Sequence, residues 1–209
     1  MTRGRTSRAG FLLAGGKSTR MGANIDKAFL DLDGQTLVAR GLNAMGGVCD
    51  SVSIVGDPGK FLNYGIGNPP PIRWGPVIVD IFPGCGPLGG IHAALTHSAA
   101  ELNLMLAVDM PFVTENLLAF LFQAAEQSDA VLTVPRAGGR LQPLCAIYRR
   151  AFFSAAEQAL AAGNYRIDAT FADTSVHLIE EGELAAAGFS ERSFFNLNTP
   201  QDLLAAGRQ

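Results

Sequence analysis

Lysine is scarce in this chain: Lys17, Lys27 and Lys60 are its whole complement across 209 residues. Cysteine and histidine number three each and tryptophan one. Cys49, Cys85 and Cys145 are far apart, odd in number and without Cys-x-x-Cys spacing, which excludes a zinc ribbon or a disulfide framework and leaves reduced, mostly buried thiols. His92 and His97 lack a third His or Cys at metal-binding spacing, so they are expected at the surface or in a groove rather than as ligands. No apolar run approaches the roughly 20 residues of a membrane span, so no membrane partner is expected. A basic excess is missing too: the formal net charge is -3, which argues against nucleic acid as a partner. Arg3, Arg5 and Arg8 open the chain, but the apolar stretch behind them, Phe11 to Ala14, is shorter than a signal-peptide core of about 7 to 15 residues. The expectation is a frayed tail over residues 1–8 and a cytoplasmic protein.

What is present is a compact composition rich in tight turns: 48% hydrophobic, 17% charged, with 24 glycines and 11 prolines. That suits a single α/β domain over residues 9–209. Its organising stretch runs from Gly10 to Gly22, where an apolar run stops at Gly15-Gly16 and two cations, Lys17 and Arg20, follow. Such a run fits a parallel strand covered on both faces, and ligands in open parallel sheets bind beyond the strands' carboxyl ends. Glycine there lets backbone N–H groups approach phosphate oxygens. Two familiar phosphate loops do not fit. The P-loop needs glycine where Phe11 stands, and the dinucleotide fingerprint needs glycines that are not adjacent.

Further along, Leu37 to Met45 has helical spacing, Asp33-Gly34 marks a turn, and Val52 to Val55 reads as a second parallel strand. Phe61 to Trp74 has no clear period and reads as an irregular loop. Val77-Ile78-Val79-Asp80 is an apolar run ending in a carboxylate. It leads into the glycine-rich Pro83 to Gly90 and a helix with Leu88, Ile91 and Leu95 on one face. Leu102 to Val108 ends in Asp109-Met110-Pro111, which places a carboxylate at the same sheet edge as the first glycine loop, where phosphate-bound Mg²⁺ needs oxygen ligands. Helices are expected over Leu117 to Ala125 and Arg149 to Ala162, strands over Ala130 to Val134 and Ser175 to Ile179, and a Thr199-capped last helix opening at Pro200.

Leu-Ala-Gly-Gly-x-Ser-x-Arg-Met-Gly followed by Asp26-Lys27-Ala28 resembles the signature of sugar-nucleotide-type nucleotidyltransferases, most closely the molybdenum cofactor guanylyltransferases. The spacer before Asp-Lys, Ala23 to Ile25, is longer than is usual there. Pro83-Gly84-Cys85-Gly86-Pro87-Leu88, Asp109-Met110-Pro111, Gln142-Pro143-Leu144 and Asn196-Leu197-Asn198-Thr199-Pro200 follow in family order, so the resemblance spans nearly the whole chain. Gly16 and Gln142 favour the guanylyl over the cytidylyl branch.

The resemblance implies a Rossmann-like, mostly parallel sheet with helices on both faces, of the nucleotidyltransferase and glycosyltransferase-A kind. It further implies transfer of GMP from GTP to the phosphate of molybdenum-molybdopterin. Arg20, Lys27 and Asp109 would be catalytic, with Asp109 holding Mg²⁺ or, alternatively, Mn²⁺. Leu13, Ala14, Gly15, Gly16, Lys27, Asp57, Asp80 and Asp109 would bind nucleotide. Gly86, Pro87, Leu88, Gln142, Pro143, Asn196 and Asn198 would face the acceptor, the asparagines also lying beside metal and nucleotide. Partners would be GTP and molybdopterin, with transient contact to proteins that deliver or receive the cofactor. The alternatives are cytidylyl transfer to molybdopterin, guanylyl transfer to a sugar 1-phosphate, and a non-catalytic nucleotide-binding module. An NAD-dependent oxidoreductase is disfavoured by the missing fingerprint.

Overall fold

The computed structural model describes residues 6–15, 26–63 and 75–206, with the side chains of residues 62 and 63 set aside. Gly16, Lys17, Arg20, Trp74 and most of the expected 61–74 loop lie outside the described residues. In chain order the strands are β1 (Arg8–Leu13), β2 (Asp31–Leu32), β3 (Gln35–Thr36), β4 (Ser51–Val55), β5 (Leu102–Ala107), β6 (Leu132–Ala137), β7 (Arg140–Leu141), β8 (Cys145–Arg149) and β9 (Val176–Ile179). The helices are α1 (Leu37–Gly46), α2 (Pro58–Asn63), α3 (Pro87–His97), α4 (Glu115–Glu126), α5 (Phe152–Ala161), α6 (Glu181–Ala186) and α7 (Pro200–Ala206).

The main sheet is mixed and mainly parallel. β4, β1 and β5 are parallel neighbours, β8 runs antiparallel between β5 and β6, and β9 pairs parallel with β6. Every residue of β5 is buried, because both faces of the sheet are covered. Leu12, Leu104 and Leu106 pack with Leu42 of α1 and Leu121 and Phe122 of α4. Phe11 and Met105 pack on the opposite face with Ile91 and Leu95 of α3 and Phe152 of α5. Odd and even residues of one strand thus serve two cores. Close approach of α1 to β1 depends on Gly41, where a Cβ would stand 2.6 Å from Leu12 Cδ1.

Two expectations, the tail and the loop after β4, are corrected, and two further features had no assignment from the sequence. Arg8 opens β1 instead of ending a frayed tail; its guanidinium pairs with Glu126 at 2.7 Å and lies over the Phe122 ring. Around Val77 to Asp80 the pairing is reduced to one bridge from Ile78 to Val55, at the outer edge of β4. The stretch after β4 includes α2, started by Pro58 at a position where its missing N–H costs nothing. β8 was not expected, since its buried run Cys145 to Tyr148 lacks the alternation that marks a half-exposed strand. Asp33 and Gly34, with φ of 56° and 79°, form the anticipated turn, between β2 and β3. Among the described residues no helix is long and apolar enough to cross a membrane.

Candidate active site

Strand register builds one edge. Leu13 pairs with Val55 on one side and Ala107 on the other, so β1, β4 and β5 end together and the next residues of each share one rim. Ala14 N–H donates to Val55 O at 2.9 Å, and Val108 N–H to Leu13 O at 3.1 Å. Beyond this rim lies a cavity of about 820 Å³. Leu13, Ala14, Gly15, Lys27, Asp57, Asp80, Gly86, Pro87 and Asp109 line it.

On its wall Lys27 Nζ lies 3.4 Å from Asp109 Oδ2 and 2.9 Å from Oδ1 of Asn198, which stands behind the lining residues. The three residues come from remote parts of the chain, and each is fixed locally. Lys27 starts a 3-10 turn (Lys27–Phe29) capped by Asp26, whose Oδ1 accepts from Ala28 N–H at 3.1 Å. Asp109 follows β5, and its carbonyl accepts from Leu197 N–H at 2.8 Å, which docks the Asn-rich segment against the strand end. Asn198 is set by a reciprocal cap at the start of α7. Asp202 Oδ2 accepts from Asn198 N–H and Thr199 N–H, both at 2.8 Å, while Asp202 N–H donates to Thr199 Oγ1 at 3.2 Å. Burial pushes the Asp109 carboxyl above its ordinary range, and the Lys27 ammonium draws it back.

A second arm is the loop before α3. Gly86 takes φ of 68°, which a residue with a Cβ rarely adopts, and Pro87 opens the helix without a side-chain cap. Gly84, Gly86, Pro87 and Gly90 line the cavity at the start of this helix, whose N-terminal end favours negative charge, and the Asp80 carboxylate already lies beside Gly89. Asp80 Oδ1 accepts from Phe82 N–H at 2.9 Å, and burial raises its carboxyl above the ordinary range.

Several expected residues are elsewhere. Leu88 is fully buried in the α3 face of the core. The Gln142 amide donates to Ala137 O at 3.1 Å and Arg140 O at 3.4 Å, bracing the β6–β7 turn. The Pro143 carbonyl accepts from Tyr148 Oη at 2.8 Å, and Asn196 Nδ2 donates to Phe194 O at 3.2 Å. None of these four reaches the cavity wall. Asn198, read first as an acceptor residue, stands with Lys27 and Asp109. His92, expected in a groove or at the surface, is buried, stacked 4.7 Å from Phe153 and edge-on to Phe82 at 5.0 Å. Asp26, Gly56, Lys60, Gly84 and Leu144 also line the cavity, although no site role was expected of them. For Lys60 a signal existed, since it is one of three lysines; for Leu144 none did, its place following from a bond between Ala107 N–H and its carbonyl.

Among the described residues no group of three or more His, Cys, Asp or Glu could hold a metal. The donors at Lys27, one carboxylate oxygen and one carboxamide oxygen, are nonetheless hard, and a lysine ammonium already occupies the space between them. This suits a divalent cation that brings most of its ligands from phosphate and water.

Lys27 and Lys60 share this cavity with the carboxylates Asp26, Asp57, Asp80 and Asp109 beside a glycine-rich helix start, a combination that suits a polyphosphate and its divalent cation, not a hydride donor. The class that fold and site define together is the nucleotidyltransferase. Residues 10–176 match the model of the MobA-like NTP transferase domain. A probable molybdenum cofactor guanylyltransferase of Pelotomaculum thermopropionicum is 35% identical over 94% of this chain and 90% of its own. The molybdenum cofactor guanylyltransferase of Desulfosudis oleivorans is 33% identical over 93% and 91%. Molybdopterin-guanine dinucleotide biosynthesis protein A from Archaeoglobus fulgidus, a solved structure, superposes with a TM-score of 0.77 at 26% identity, covering 96% of each chain. The chain belongs to the MobA-like NTP transferase domain family.

Proposed function

We propose that this enzyme transfers GMP from GTP to the terminal phosphate of molybdenum-loaded molybdopterin and releases pyrophosphate. The observation that carries the reading is the meeting of Lys27, Asp109 and Asn198 at the rim of a nucleotide-sized cavity, in a chain whose relatives bear the guanylyltransferase name. An oxygen of the acceptor phosphate attacks the α-phosphorus of GTP. The bond from that phosphorus to the α–β bridging oxygen breaks, and the electron pair leaves with pyrophosphate. Both reactants are anions, so the protein's task is alignment and neutralisation, and a phosphate acceptor needs no general base.

In this reading Lys27, with Arg20, clamps the transferred phosphoryl group. Backbone N–H groups of Gly15 and Gly16 receive phosphate oxygens. Asp57 and the Leu13 to Gly15 backbone read the base, and Asp80 touches the nucleotide. Gly86 and Pro87 face the acceptor. Asp109, beside Asn198, holds Mg²⁺, with Mn²⁺ as the alternative; when bound, the ion supplies Lewis-acid stabilisation of the polyphosphate charge. A cytoplasmic, single-domain enzyme that hands its product to other proteins completes the proposal.

Calorimetry in Mg²⁺ tests the base. GTP is expected to bind at least about tenfold more tightly than ATP, because a site hydrogen-bonded to a base edge rejects a base that leaves those groups unpaired. Equal affinities would overturn guanylyl specificity, and tighter CTP binding would move the assignment to cytidylyl transfer.

A further inference from the structure

Two contacts tie the Lys27 turn to α2, which belongs to a different wall of the cavity. Lys60 Nζ lies 2.8 Å from Asp26 Oδ2. One residue along, the Phe61 ring meets Phe29 with centroids 5.5 Å apart and planes at 52°. Asp26 is therefore used twice: Oδ1 caps the turn through Ala28 N–H, and Oδ2 takes the lysine. Lys27, between Asp26 and Ala28, is the residue whose ammonium reaches Asp109 and Asn198. The aromatic contact and the buried Ala28 press the turn onto an apolar surface, but such packing is non-directional. A carboxylate held on both oxygens fixes the turn's rotation, and with it the direction in which Lys27 leaves the backbone.

We infer that Lys60 is a positioning residue: through Asp26 it aims Lys27 at the reacting phosphate. The inference rests on the nucleotidyl-transfer reading of the same cavity. A half-exposed ion pair adds little to global stability, whereas a displaced transition-state cation is felt directly in the rate.

The test uses the whole protein with GTP, Mg²⁺ and molybdopterin, and compares Lys60→Met, Lys60→Arg, Asp26→Asn and the Asp26→Asn/Lys60→Met double variant. Asn at position 26 keeps the capping oxygen and removes the charge. Lys60→Met is expected to lower kcat about tenfold, with KM for GTP within about threefold of wild type and the melting temperature unchanged. The double variant should lose no more than the worse single one, because both changes cut the same link. Lys60→Arg should keep most of the activity. An unchanged kcat in Lys60→Met overturns the inference. So does a loss confined to KM that adds to that of Asp26→Asn, since Lys60 would then contact the nucleotide itself. The wild-type control separates the two claims: transfer of a different nucleotide contradicts the guanylyl assignment, and the same comparison with that nucleotide still decides the role of Lys60.

Discussion

Lys27 is the residue on which the site turns, because its ammonium joins a strand-end carboxylate to an asparagine 171 positions away in sequence. Removing that charge with Lys27→Ala should slow nucleotidyl transfer by about two to three orders of magnitude, the range seen when one transition-state electrostatic contact is deleted. Single-turnover rates check this; a loss below about tenfold would shift the burden to Arg20 or Lys17. Asp109→Asn keeps shape and removes the negative charge, so it should abolish Mg²⁺-dependent turnover while circular dichroism and melting stay native. Full activity in that variant would refute the metal assignment. The thiols give a check independent of activity. Burial pushes the Cys49 and Cys145 thiols up to about 12; Cys49 is only partly buried, like Cys85, but that shift keeps it in the unreactive thiol form. A maleimide at neutral pH should therefore label the native protein first at Cys85, as peptide mass mapping would show, because the thiolate is the reacting form. At this scale Asp109 and Lys27 were legible as charges following an apolar run and a glycine loop. The pairing of Lys60 with Asp26 was not, because an ion pair between segments remote in sequence leaves no periodic trace.

Elements whose ends carry recognised chemistry came out of the sequence close to their observed bounds. α4 begins after Thr114, whose Oγ1 accepts from Leu117 N–H at 3.3 Å, as a capping threonine should. Thr114→Ala should cost about 1 kcal/mol and lower the melting temperature by about 2 to 4 °C in a chain of this size. Gly41→Ala probes packing instead. Its new Cβ would meet the side chain of Leu12 in the core, so a loss of about 1 to 3 kcal/mol is expected in denaturant unfolding. No loss would mean that α1 can move away from β1. β8 escaped the sequence reading, since a short strand buried on both sides shows neither alternation nor helical period. The segment around Ile78 is the opposite case: it is apolar like a strand, yet it makes a single bridge, and Val79 beside it is 57% exposed.

For the molecule as a whole, the doubly covered, mainly parallel sheet was legible because continuous apolar runs alternating with helical periods admit few other packings. What no local pattern could supply was the convergence itself. Parallel register brings Gly15, Asp57 and Asp109 to one rim, and Leu197 and Asn198 return from the far end of the chain to bond Asp109 and Lys27. Guanylyl transfer is tested most directly by following the transferred group. The purified protein is incubated with Mg²⁺, molybdenum-loaded molybdopterin and a nucleoside triphosphate labelled at the α-phosphorus, in parallel reactions with GTP, CTP and ATP. Label from GTP is expected to enter a molybdopterin-guanine dinucleotide with one pyrophosphate released per label incorporated. Label entering the pterin from CTP instead, or pyrophosphate appearing at the same rate without the pterin, would contradict it.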